Sequence, residues 1–182
     1  MYFEKAGPSN TEATAELALK VARERGIKNI VVSSNTGASV RPLLGNDDVN
    51  IVCVTHAYGA RADGENEMTD EVRKEFVEKG VKLVTASHVL SGVERGISTL
   101  SQGMYPAEIM SHTLRMFGQG TKVCVEISVM ALDAGQIPFG EKVIAIGGTG
   151  GGTDTAVIIT PAHASRVFKT SIHEVICKPS LG

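Results

Sequence analysis

The chain has no run of basic residues, no long apolar stretch and no closely spaced pair of cysteines. Each absence removes a class of function. With 18 Lys and Arg against 20 Asp and Glu, the formal charge is −2. Neither nucleic acid nor an anionic membrane surface is therefore expected as the main partner. No apolar run approaches the roughly 20 residues of a bilayer span, and the first residues lack the apolar segment of a signal peptide. Cys53, Cys124 and Cys177 lie far apart among aliphatic neighbours. That usage fits reduced thiols acting as small hydrophobes in a cytoplasmic protein. His112, His163 and His173 show no pairing with Cys or His at metal spacing, so no structural zinc is expected. Walker A, Gly-x-Gly-x-x-Gly and Gly-x-Ser-x-Gly motifs are missing as well.

What is present suits one α/β domain over residues 1–182. The chain is 42% hydrophobic and 21% charged, with no repeat, low-complexity tract or linker. Strands are predicted near 1–3 and at 29–33, 50–55, 81–85, 142–147, 155–160 and 172–177, each rich in Val and Ile or bounded by turn residues. A helix is expected from Asn10 or Thr11 to Gly26, where glycine is a natural stop. Others are expected from Thr69 to Gly80, Gly92 to Leu100 and Pro106 to Phe117. Residues 122–134 carry two signals. Val123, Val125, Ile127 and Val129 alternate as in a strand, whereas Met130 to Gly135, with Pro138 beyond, reads as a helix end. A buried helix is the preferred reading. Strand alternating with helix gives a mostly parallel sheet covered on both faces, with an antiparallel edge made by the last three strands.

Two loops stand out. Residues 147–154 read Gly-Gly-Thr-Gly-Gly-Gly-Thr-Asp between two strand-like runs. Five glycines in six positions suit close approach of a ligand to backbone, or a nest of inward amides, with Thr149 and Thr153 adding hydroxyls. The plain alternative is a flexible hairpin loop. The second loop, Ser33 to Ser39, follows a strand and is expected to lead into a helix, an order that sets amides under a phosphate. Pro42 would shorten that helix.

The residues after four predicted strands are small, polar or imidazole: Ser34-Asn35-Thr36-Gly37-Ala38-Ser39, Thr55-His56-Ala57-Tyr58-Gly59, Ser87-His88, and Gly147-Gly148-Thr149-Gly150-Gly151-Gly152-Thr153. Ligands of open α/β sheets sit at such strand ends. His56 and His88 are the candidate acid–base groups. The segment from Thr55 to Thr69, carrying Arg61, Asp63, Glu65 and Glu67, is long for a connection. It reads as a lid, a disordered excursion or, at Asn66-Glu67, a subunit contact. Glu126 and Asp133 on a buried helix would need partners or a function. Glu94-Arg95 reads as a local ion pair.

Several strings together resemble one family: Asn10-Thr11-Glu12-Ala13-Thr14, Val32 to Gly37, Ser87 to Arg95, Val123 to Glu126 with Met130 to Gly135, and the glycine loop closing on Asp154-Thr155-Ala156. Over nearly the whole chain the sequence is similar to the stand-alone pyruvate-kinase C-terminal-domain-like group of archaea and some bacteria. The resemblance implies a three-layer α/β/α sandwich with a mixed sheet. It does not imply pyruvate kinase activity, whose catalytic (β/α)₈ barrel takes about 250 residues. It implies a phosphate-bearing small-molecule partner, with flavin mononucleotide as the cofactor expected at the strand-end positions above. Its phosphate would rest on Ser34, Thr36, Gly37 and Ser39, with Tyr58, Met104 or Tyr105 walling the ring. An oxidoreductase, a regulatory module for a phosphorylated metabolite and a phosphate-ester-processing enzyme all remain open, as does self-association.

Overall fold

The computed structural model describes residues 1–180. Its strands are β1 (Tyr2–Phe3), β2 (Asn29–Ser33), β3 (Asn50–Val54), β4 (Lys82–Val84), β5 (Val143–Gly147), β6 (Thr155–Thr160) and β7 (Ser171–Pro179). They form one sheet in the order β1-β7-β6-β5-β2-β3-β4. Strands β2 to β5 run parallel, β6 runs antiparallel to both β5 and β7, and β1 lies parallel to β7. The antiparallel pairing of the last three strands agrees with the sequence. Their position differs, since β5 sits at the centre beside β2 and the short β1 takes the outer place.

Among the described residues, five α-helices cover the sheet: α1 (Thr11–Arg25), α2 (Asp70–Glu78), α3 (Gly92–Ser101), α4 (Pro106–Arg115) and α5 (Gln119–Asp133). Side chains alternate across a strand, so the central strands feed two cores. Ile30, Val32, Ile144 and Ile146 pack with Ala15, Ala18 and Leu19 of α1 and Phe76 of α2. Val31, Val52, Ala145 and Val157 pack with Cys124, Ile127 and Ala131 of α5, backed by Met110 and Leu114 of α4. This is a three-layer α/β/α sandwich.

Residues 119–133 are helix and almost wholly buried. The Val alternation within them is therefore not a strand signal. A helix buried nearly all round can carry valine at any phase. Helix α1 ends as its sequence suggests, with Gly26 at φ 64° and its N–H bonded back to Ala22. All three cysteines are free and buried. Burial pushes the Cys53 thiol up to about 12 and raises those of Cys124 and Cys177 as well, which makes them inert.

One expected element is absent. No α-helix follows Ser33–Ser39; the chain makes a single 3₁₀ turn at Arg41–Leu43. Pro42 starts that turn, Leu44 is already extended, and Gly45 has φ 77°. A helix dipole therefore does not stand behind this loop. Asp133 is a second correction. It lies exposed at the end of α5, where its carboxylate accepts from His163 Nδ1 at 2.6 Å and from the Ala164 N–H at 3.1 Å.

Candidate functional site

Because β2 to β5 are parallel, their carboxyl ends share one edge of the sheet. The glycine loop reaches that edge from β5 and returns into β6, whose Thr155 pairs with Gly147. Chain direction reverses here. From β2 the chain moves outward to β3 and β4, then crosses back through α3, α4 and α5 to β5 on the other side of β2. Such a switch point leaves a crevice. A cleft of about 850 Å³ occupies it, a size usual for small-molecule sites.

Thirteen of the residues singled out by sequence line the cleft: Ser34, Asn35, Ser39, Thr55, His56, Tyr58, Gly59, Ser87, His88, Gly148, Gly150, Gly151 and Gly152. Six do not: Thr36, Gly37, Ala38, Gly147, Thr149 and Thr153. The reasons are local. Ser34 Oγ accepts from the N–H groups of Gly37 at 3.0 Å and Ser39 at 3.3 Å. Those amides are thus spent inside the loop rather than offered to a phosphate. A Cβ on Gly37 would stand 2.8 Å from the Phe76 ring, so this glycine serves core packing. Gly147 has the same duty on the other face. A Cβ there would stand 2.7 Å from the Gly120 carbonyl oxygen and 2.9 Å from Val123. Gly120 in turn would collide with Thr155 Oγ1 at 2.1 Å, so the start of α5 touches the sheet backbone directly. The loop between is underlaid by the N-terminal segment. Gly7 donates to Asp154 Oδ2 at 2.9 Å, and Thr153 donates through its N–H to Thr11 Oγ1 at 3.1 Å. Gly150 and Gly151, at φ 64° and 91°, form the free tip.

The segment from Thr55 to Thr69 is folded as a wall. Gly59 donates to the Glu65 carbonyl and Glu65 to that of Ala62, and Met68 is anchored in the core. Glu67 receives His56 Nδ1 on one oxygen and Arg61 Nε, at 3.2 Å, on the other. His56 and His88 face each other with ring centroids 5.5 Å apart.

The strongest electrostatic feature lies on the helical side. Glu126 has a side chain only 3% exposed. Its Oε2 receives Lys122 Nζ at 2.5 Å and lies 3.5 Å from His88 Nδ1, and its Oε1 receives the Leu90 N–H at 3.2 Å. Burial alone would raise its pKa. The nearby His88 imidazole and the Lys122 ammonium outweigh burial and hold it down at about 2. Burial, with Arg115 and Arg95 adding repulsion, pushes the Lys122 ammonium below its ordinary value against the pull of Glu126. His88 Nε2 is buried on the cleft wall and has no partner among the described residues. A buried nitrogen left this way calls for water or a ligand group.

Arg95, Arg115, Gln119, Lys122 and Glu126 line the cleft and were not read from sequence as one group. A signal existed. Gln119, Lys122 and Glu126 follow spacings of three and four, a polar stripe along a helix that is otherwise largely apolar, and Arg115 stands just before it. Arg115 gives Nε to Gln119 at 2.7 Å and Nη1 to Ser111 at 2.8 Å, both neutral partners. The expected Glu94–Arg95 ion pair does not form. Glu94 accepts from the Glu108 N–H at 3.0 Å, and Arg95 turns to the cleft. Met104 and Tyr105 lie off it; Tyr58 is the one phenol on the wall.

The family model described as pyruvate kinase, alpha/beta domain, matches residues 12–159. Among solved structures, a pyruvate kinase from Cryptosporidium parvum is 18% identical, with a TM-score of 0.41, 81% of this chain covered and 22% of that chain. A second Cryptosporidium parvum pyruvate kinase structure is 16% identical, with a TM-score of 0.38, 90% of this chain covered and 22% of that one. The chain thus spans about a fifth of the length of these enzymes. The family match takes in every strand-end loop of the cleft together with α2 to α5 and all but the first residue of α1, and the chain belongs to the pyruvate kinase alpha/beta domain family.

Proposed function

We propose that the cleft binds a phosphate-bearing small molecule, with flavin mononucleotide the leading candidate, and that the chain is not itself a pyruvate kinase. One observation carries the reading. Two guanidinium groups, Arg95 and Arg115, face a cleft of mononucleotide size without a carboxylate partner among the described residues, while Glu126 beside them is already satisfied by Lys122 and His88. Guanidinium forks suit phosphate oxygens. The phosphate is assigned to this helical side rather than to residues 36–39, because the Gly37 and Ser39 amides are engaged by Ser34 Oγ and Thr36, Gly37 and Ala38 do not line the cleft. His88 Nε2 and the glycine tip then contact the rest of the ligand. Any redox chemistry would be the flavin's own, positioned by these groups.

A second reading is a module that binds a phosphorylated metabolite without catalysis. The scarcity of ring walls favours it, because Tyr58 is the only phenol at the cleft and is largely exposed. Two measurements decide. Flavin bands in the visible spectrum of the purified protein support the first reading. Calorimetric titration of ligand-stripped protein with flavin mononucleotide, phosphorylated sugars and inorganic phosphate tests both. If none binds, the site has been misread.

A further inference from the structure

We infer that α3 and α4 form a self-association surface, and that its occupant is a second copy of this chain. Helix α3 is inside out. Two of its polar side chains meet α4, where Glu94 accepts from the Glu108 N–H and Ser98 Oγ donates to Glu108 Oε1 at 2.7 Å. Its apolar side chains are left largely uncovered, and none of its ten residues is buried. Val93 is 82% exposed and Leu100 is 89% exposed, with Ile97 and Met104 about half or more. Positions 93, 97 and 100 follow spacings of four and three along α3, the seam by which one helix packs along another, and Met104 follows just beyond the helix end. Helix α4 and its end expose Ile109, Met116 and Phe117 in addition.

Size and charge select the partner. Seven large apolar side chains at this exposure amount to on the order of 800 Å², the share one protein contributes to a standard interface. Lone monomers rarely leave so much apolar surface in water. Charge is scarce here. Residues 92–118 hold four Asp, Glu, Lys or Arg, and three are occupied: Glu94 and Glu108 with each other's segment, Arg115 with Gln119 and Ser111. By contrast, α2 carries six in nine residues. A charge-poor face rich in methionine and aliphatic residues meets its own image without repulsion. That is the composition of an interface core rather than of a docking site for a charged partner. Helix α3 also supplies Val93 and Arg95 to the cleft, so covering its outer face steadies one cleft wall. This inference does not rest on the identity of the ligand.

Sedimentation velocity of the full chain between micromolar and 100 μM protein is expected to show twice the 19.2 kDa chain mass. Ile97→Asp with Leu100→Asp should return the monomer and raise the dimer dissociation constant at least about a hundredfold. Circular dichroism should be unchanged, since neither side chain is buried. The chain's own thiols are buried, which permits a check with native-like variants. Leu100→Cys and Ile97→Cys should oxidise to a covalent dimer, whereas Phe168→Cys, on an exposed turn elsewhere, should not. A wild type that stays monomeric at 100 μM overturns the inference. So does a dimer that survives the double substitution, or equal cross-linking at position 168.

Discussion

Replacing Glu126 by Gln keeps the shape of the side chain and removes one charge from a buried cluster. Glu126 Oε1 would still accept from Leu90, but Lys122 would lose the anion 2.5 Å from its ammonium and His88 its carboxylate. Breaking one side of a buried pair costs about 3–5 kcal/mol, because the remaining charge is left in low dielectric. The titration of Glu126 gives a compatible figure by another route. Its pKa falls from an ordinary 4.5 to about 2; a shift of that size corresponds to roughly 3 kcal/mol of folding free energy. The sign follows from linkage. A depressed carboxylate stabilises the fold above its unfolded pKa, and that stabilisation is lost as pH falls toward its folded value. Between pH 7 and pH 3 the wild type should lose about 2 kcal/mol from this residue alone. Urea unfolding of wild type and Glu126→Gln at pH 7, 5, 4 and 3 is the assay. The gap should be near 3 kcal/mol at pH 7 and shrink steadily toward pH 3. The double variant Lys122→Met, Glu126→Gln should recover much of the loss, since no buried charge then lacks a partner. A Glu126→Gln protein as stable as wild type, or a gap that does not change with pH, would refute the account of this network.

Arg95→Ala and Arg115→Ala should each weaken binding of a phosphate-bearing ligand roughly ten- to a hundredfold, and the wild-type affinity should fall with added salt; calorimetry checks both. His88→Ala should lower ligand affinity more than His56→Ala does, because only His88 presents a buried nitrogen without a partner; equal affinities for all three proteins would remove the proposed role. Gly148→Val should chiefly lower the melting temperature of ligand-free protein, since a Cβ there would stand 2.2 Å from the Gly152 carbonyl oxygen. Gly151→Val has open space around it but φ 91°, so it should cost about 1–3 kcal/mol of strain and reduce binding.

Much of the architecture was legible because it rests on local cues. Gly26 ends α1, Gly135 and Pro138 stand beyond α5, and the Val and Ile runs mark the central strands. The loop after β2 was misread for a reason that was also local. Pro42 and Gly45 allow one turn and no more, so strand–loop–helix became strand–loop–turn. In the glycine loop, sequence showed that close approach was needed but not what approaches. At Gly147 it is the backbone of α5, and at Gly148 the far side of the loop itself; the free tip is Gly150 and Gly151, with Gly148 and Gly152 beside it on the cleft wall. The cations were harder to see. Arg95, Arg115 and Lys122 come from three helices, and their meeting depends on how that chain segment folds back between β4 and β5.

The two walls of the cleft differ in how they are held, and this has a consequence for timing. Helix α5 is buried along most of its length and meets the sheet backbone at Gly120 and Gly147, while α3 has no buried residue. Local opening follows such differences. In a single copy of the chain, amide hydrogens of α5 should exchange with solvent only when the whole fold opens, whereas those of α3 should exchange through small, frequent excursions. A bound molecule would therefore come and go by way of α3. Its residence time would be set by how often that helix lifts, and not by the rigid floor on which the buried charges sit.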